Sequence, residues 1–179
     1  DRLYAAYVEQ TNRQVGYNFR AGRQQGGGGG IQSRFDGLSV GYNLSPSWRL
    51  NGAIGSPAEF RDPFRRSVWS TSVDYTAPLG RPGFSAYYVE QTLEGVLDRQ
   101  AVGTEIRYFD ENLTVFGLLD YDMQFQQTNI GLLQANLRTS GGTNYFATVD
   151  IRKSPPLSLT TALPGQISQD PFQPTLDFR

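Results

Sequence analysis

The chain has 179 residues, a formal net charge of -1, and neither cysteine nor histidine. The two missing residue types exclude disulfides, thiolate metal sites, Ser-His-Asp and Cys-His nucleophiles and any histidine general base, and the near-neutral charge offers no field for gripping nucleic acid. Aromatic residues make up 13%, glycine fills 20 positions and the hydrophobic fraction is 38% at a mean hydropathy of -0.45, a balance suited to a barrel with rings at its rims and a wet interior.

The chain opens directly on a strand-like segment, Arg2 to Val8, with no leader in view, so the expectation is a mature chain or a fragment. Period-two alternation follows in Val15 to Arg23, where Val15, Tyr17, Phe19 and Ala21 share one face and Gly16, Asn18, Arg20 and Gly22 the other. Leu38 to Leu44 repeats the pattern, and Ser45-Pro46-Ser47 turns the chain into Trp48 to Ile54 as a hairpin. Trp69 to Tyr75, Phe84 to Val89, Val102 to Tyr108 and Leu113 to Tyr121 continue it, the last with Phe116 and Leu118 on the otherwise polar face. A ninth strand falls near Thr128 to Arg138 and a tenth at Tyr145 to Arg152. Strands of about nine to eleven residues have the length a tilted strand needs to cross a bilayer. No apolar run approaches the roughly 20 residues of a membrane helix.

The links are expected to alternate in length. Thr11 to Gln14, Ser45 to Ser47 and Asp110 to Asn112 are tight, whereas Gln24 to Asp36, Ser56 to Ser67 and Thr92 to Arg99 are long, which is the habit of membrane barrels. Prolines 155, 156, 164, 171 and 174 make residues 154–179 an irregular tail, loop or plug after a strand region at 1–153. Tyr7 to Thr11 recurs identically as Tyr88 to Thr92, which reads as hairpin duplication, chance or shared strand-end chemistry.

Candidate chemistry is sparse. Gly26 to Gly30 lacks the Lys-Ser/Thr and helix of a phosphate loop and is expected to be a flexible loop, flanked by Arg20, Arg23 and Arg34 at a pore mouth. Asp120 and Asp122 on one strand, and Glu105 and Arg107 on its neighbour, suggest acid-base or metal chemistry, against which stands a lumenal ion-pair network. The mixed basic and aromatic stretch Glu59 to Arg66 suits a sugar, a nucleic acid or a lipopolysaccharide phosphate, or simply an exposed loop with internal ion pairs.

More informative is the shared polar face. Asn18, Arg20, Asn43, Arg49, Asn51, Asp74, Glu105, Arg107, Asp120, Asp122, Asp150 and Arg152 all point one way if the strands form one sheet. In a dry sandwich these groups would be ruinous, but in a water-filled lumen they cost little, so they are expected to line a polar conduit. The opposite face carries Tyr42, Trp48, Trp69, Tyr75, Tyr108 and Tyr121, expected as an aromatic girdle at the membrane surface.

Arg20 to Gln24, the glycine-rich link, Arg34 to Leu38, Asp98 to Gly103, Arg107 to Asp110, Phe116 to Tyr121 and Ser154 to Gln166 together resemble the barrel portion of large proteobacterial outer-membrane proteins that carry tetratricopeptide repeats upstream. The resemblance covers most of residues 1–166 and implies envelope transport or secretion, with polysaccharide as a cargo. Such proteins end on an aromatic assembly strand, whereas this chain ends Leu176-Asp177-Phe178-Arg179, so a partial chain is expected. The reading is all-β: an antiparallel up-and-down transmembrane β-barrel, or part of one with about ten strands. It would sit in the outer membrane of a Gram-negative bacterium, touching bilayer or lipopolysaccharide, with further strands or other chains completing it. No catalysis, cofactor, metal or nucleic acid is expected. The alternative is a soluble extracellular β-module of a surface layer or filament, or a carbohydrate-binding module, in which the aromatic rings would be buried between two sheets.

Overall fold

The computed structural model describes residues 3–26, 29–31, 33–58 and 65–153. These form one sheet of ten antiparallel strands, each paired with its sequence neighbours: β1 (Ala6–Asn12), β2 (Tyr17–Gln25), β3 (Arg34–Asn43), β4 (Trp48–Pro57), β5 (Arg66–Tyr75), β6 (Gly83–Leu93), β7 (Val96–Phe109), β8 (Leu113–Asp122), β9 (Gln127–Arg138) and β10 (Asn144–Arg152). Among the described residues there is no helix, and β1 and β10 do not pair, so the sheet is open. The expected tail at 154–179 and most of the Glu59 to Arg66 loop lie outside the described residues.

Register makes the two faces unambiguous. Arg20, Ser39, Ala53, Ser70, Val89, Ala101 and Asp122 lie opposite one another across seven strands on one face. Phe19, Val40, Gly52, Thr71, Tyr88, Val102 and Tyr121 line up in the same way on the other. Period two forbids a residue from changing face without a bulge, so the whole polar set stays on one side.

The only buried apolar cluster among the described residues sits on the polar face: Ile31, Phe35, Val68, Val89 and Ala101, with Ala53 and Tyr87 packed against it. The outward face is apolar yet uncovered, with Val40 at 52%, Ile106 at 50% and Leu133 at 52% exposure. Nothing described packs on it.

Several expectations shift. The opening strand starts at Ala6, and its turn occupies residues 13–16 instead of Thr11 to Gln14. There Asn12 Oδ1 accepts from the backbone N–H groups of Gln14 and Val15, each at 3.0 Å, and so draws Val15 into the turn. The expected long loop from Thr92 to Arg99 is almost entirely strand. Its reversal is the pair Glu94-Gly95, with φ of 50° and 82°, the left-handed combination of a tight hairpin. Strict alternation of loop lengths therefore fails at this end of the sheet.

The repeated pentapeptide also changes meaning. In β1, Glu9 lies on the polar face and pairs with Arg20 at 2.8 Å, whereas in β6 Tyr88 and Glu90 lie on the outward face, where the Tyr88 hydroxyl donates to Glu90 at 2.8 Å. Opposite phase rules out a common strand-end role.

Candidate functional site: the polar face of the sheet

All twelve residues expected on the polar face share it in the observed register, but they do different work. Arg49 organises one end: its guanidinium donates to Asn51 at 2.8 Å, to Asn43 at 2.7 Å and to Asn18. Asn51 in turn donates to Asp74 at 2.5 Å and to Ser72 at 3.2 Å. Arg107 donates to Ser85 at 2.5 Å. Apart from Asn43, these side chains, with Arg20 and Glu105, line a concave cavity of about 460 Å³ that runs from β2 to β7. The cavity wall mixes both charge signs with amides and hydroxyls, so it presents hydrogen-bonding groups without a dominant field.

Asp120 and Asp122 do not act as a pair. Asp122 is fully buried and its Oδ1 accepts from the backbone N–H of Gln124 and of Phe125, each at 2.9 Å, holding the β8–β9 turn. Asp120, also fully buried, accepts from Arg99 at 2.8 and 3.1 Å, from Asn129 at 3.2 Å and from the Tyr87 hydroxyl. Glu105 and Arg107 take no part, because register sets Glu105 beside Leu118 and Arg107 beside Phe116. Among the described residues no three acidic side chains gather as metal ligands. Asp150 and Arg152 form a local exposed pair at 2.6 Å on β10.

Sequence reasoning missed Arg99, Asp98, Asn129 and Tyr87. Tyr87 follows ordinary alternation in β6, but two register shifts explain the omission of the other three, one between Gln91 and Thr92 in the β6–β7 pairing and one between Asp120 and Tyr121 in the β8–β9 pairing. Each places an extra residue opposite one partner, so Asp98 with Arg99, and Asn129 with Ile130, both turn to the polar face. The available signal was the loss of alternation at those two places, read instead as a loop and as an imperfect strand.

The glycine run is the second correction. It is not a free loop at its described part: Gly29, Gly30 and Ile31 fold down onto the polar face. Arg99 donates to the Gly30 carbonyl at 2.9 Å, and Ile31 enters the buried cluster at 7% exposure. Gly30 has φ of 77°, and a Cβ there would stand 2.5 Å from the Tyr87 ring, so both conformation and space demand glycine. Of the arginines expected around a mouth, only Arg20 is on this face. Arg23, at an odd separation from Arg20, pairs outward with Asp36 at 2.6 Å, and Arg34, opposite the outward-facing position 25, lies over the Tyr4 ring at 4.7 Å.

Tyr87 lies across Gly103 on the neighbouring strand, in the space a side chain would fill. Replacing Gly103 with valine is expected to push the ring off Asp120 and to destabilise the fold by about 1–3 kcal/mol, as overpacking does. Urea unfolding followed by tyrosine fluorescence measures it, and an unchanged midpoint would show that the ring is free to leave.

On the outward face the expected girdle residues fall into two rows. Tyr42, Trp48, Tyr75 and Tyr108 end their strands at one edge, where the Trp48 and Tyr75 centroids are 4.9 Å apart and Phe84 joins both at 5.6 and 5.4 Å. Trp69 and Tyr121 lie toward the other edge, with Tyr88 at 5.1 Å from Trp69. The outward face becomes polar at Glu90 and Gln100, level with Trp69, and at Arg23 and Asp36 one step beyond. No family model, curated protein or solved structure matches the chain. The reading of the site therefore rests on the residues and their geometry.

Proposed function

We propose that this chain is part of the wall of a transmembrane β-barrel in the outer membrane of a Gram-negative bacterium, with its polar face lining a conduit. The observation that carries the reading is the sheet's two-facedness. One face is exposed, apolar and bounded by two aromatic rows, and the other is concave and polar, with charged and amide side chains. A water-soluble sheet would have to cover the first face, since large exposed apolar patches mark contact with another phase or partner. Among the described residues nothing covers it. Interfacial rings bounding an apolar band fit a bilayer, and lipid or lipopolysaccharide is the proposed neighbour of that face.

The role is transport or secretion without catalysis. The best acid-base candidates are already committed, Asp120 to Arg99 and Asp122 to a turn. Envelope export, with polysaccharide as cargo, is the proposed form of that role, and it is what the sequence resemblance implies. The open edges at β1 and β10 are where further strands or other chains would join.

Purified protein is expected to give a β-sheet circular dichroism spectrum only with detergent or lipid, and to produce discrete current steps in a planar bilayer. A monodisperse, folded protein in plain buffer without conductance would overturn the proposal in favour of a soluble β-module.

A further inference from the structure

We infer that Gly29-Gly30-Ile31 is a latched lid on the polar face, and that its release widens the conduit; this rests on the conduit reading above. The lid belongs to the β2–β3 link, whose base is joined by the Gly26 N–H to the Ser33 carbonyl at 3.3 Å. From that base it reaches across to β5, β6 and β7. A Cβ at Gly29 would stand 3.2 Å from Ser70 Oγ, Gly30 lies against Tyr87 and Val89, and Ile31 packs in the cluster with Phe35, Val68 and Ala101. Gly29 and Ile31 also line the cavity, so the lid takes up space that would otherwise belong to it.

The latch has a fixed half and a movable half. Arg99 is 6% exposed and is held by Asp120, itself locked by Tyr87 and Asn129 on the wall. From this anchored position Arg99 gives its other terminal nitrogen to the Gly30 carbonyl. Among the described residues, the movable half offers the Gly30 carbonyl to Arg99 and the Ile31 side chain to the buried cluster. Glycine at 29 and 30 allows the segment to lie flat against the wall without a side chain to obstruct it. The segment lies outside the strand pairings, so it can open without disturbing them, and local opening of such segments is how lids move.

The absence of cysteine makes the test direct. Ser70, 6% exposed beneath Gly29, is changed to cysteine and labelled with a maleimide in the detergent-folded full chain, with and without Ile31→Ser. Ile31→Ser leaves the Arg99–Asp120 wall intact. Labelling at residue 70 is expected to rise roughly tenfold in the Ile31→Ser background, the scale of losing about 1.4 kcal/mol of closure. Thr148→Cys, on the same face in β10 and away from the lid, is expected to label equally in both backgrounds. Equal rates at residue 70 with an unchanged circular dichroism spectrum would overturn the lid. A second variant, Arg99→Gln with Asp120→Asn, removes the latch from the wall side without stranding a charge and should accelerate labelling in the same direction. In planar bilayers, Ile31→Ser is expected to raise single-channel conductance. Faster labelling with identical conductance would overturn the gating role, whereas no current from either protein would count against the conduit itself.

Discussion

Asp120→Ala is expected to destabilise the folded chain by about 3–5 kcal/mol, the range for removing one partner of a buried ion pair. Asp120 is fully buried and receives Arg99, Asn129 and Tyr87 together, so alanine would strand a guanidinium that is itself only 6% exposed. The cost arises from the charge left behind more than from the attraction lost, so Asp120→Asn combined with Arg99→Gln should recover much of the stability. Asp150→Ala is the comparison. Its partner Arg152 and Asp150 are 52% and 44% exposed, and the expected change is within about 1 kcal/mol. Urea unfolding in detergent micelles measures all three, and equal shifts for Asp120→Ala and Asp150→Ala would show that the cluster does not hold the sheet together.

The second large effect separates the two faces at adjacent residues. Leu119 points outward at 48% exposure between the aromatic rows, while Leu118 points to the polar face beside Glu105. Leu119→Arg is expected to lower stability in lipid vesicles by about 2–4 kcal/mol, the cost of an arginine on the lipid face near mid-depth. Leu118→Arg should change it by less than about 1 kcal/mol, because the new guanidinium meets water and the Glu105 carboxylate. In water an exposed leucine could become arginine almost without penalty. A negligible effect of Leu119→Arg in vesicles, or a larger one for Leu118→Arg, would mean that the apolar face does not meet lipid.

Both expectations also bear on the lid. Arg99 is positioned by Asp120, so Asp120→Ala should loosen Gly30 as well as the wall, and accelerated labelling beneath the lid should accompany the loss of stability. Leu119→Arg acts on the other face and should leave the labelling ratio alone wherever the protein remains folded. The contrast distinguishes a local latch from a general weakening of the sheet.

Alternation along each strand was enough to read ten strands, their up-and-down order and the division of side chains between two faces. Arg49, Asp74, Glu105 and their neighbours fell on one side, and Trp48, Tyr75 and Tyr121 on the other, because a strand's side chains change face at every residue and neighbouring strands preserve the phase. The sequence by itself therefore determined the all-β class, the polar and apolar surfaces and the exclusion of thiol and imidazole chemistry. Tertiary structure alone decided where that phase is broken and what meets across distance. The bulges that turn Asp98 with Arg99 and Asn129 with Ile130 inward depend on pairing with β6 and β8, and no local pattern specifies which residue is the extra one. The descent of Gly30 and Ile31 onto Arg99, Tyr87 and Val68 depends on contacts between residues far apart in the chain, formed only once the strands between them have set the distance.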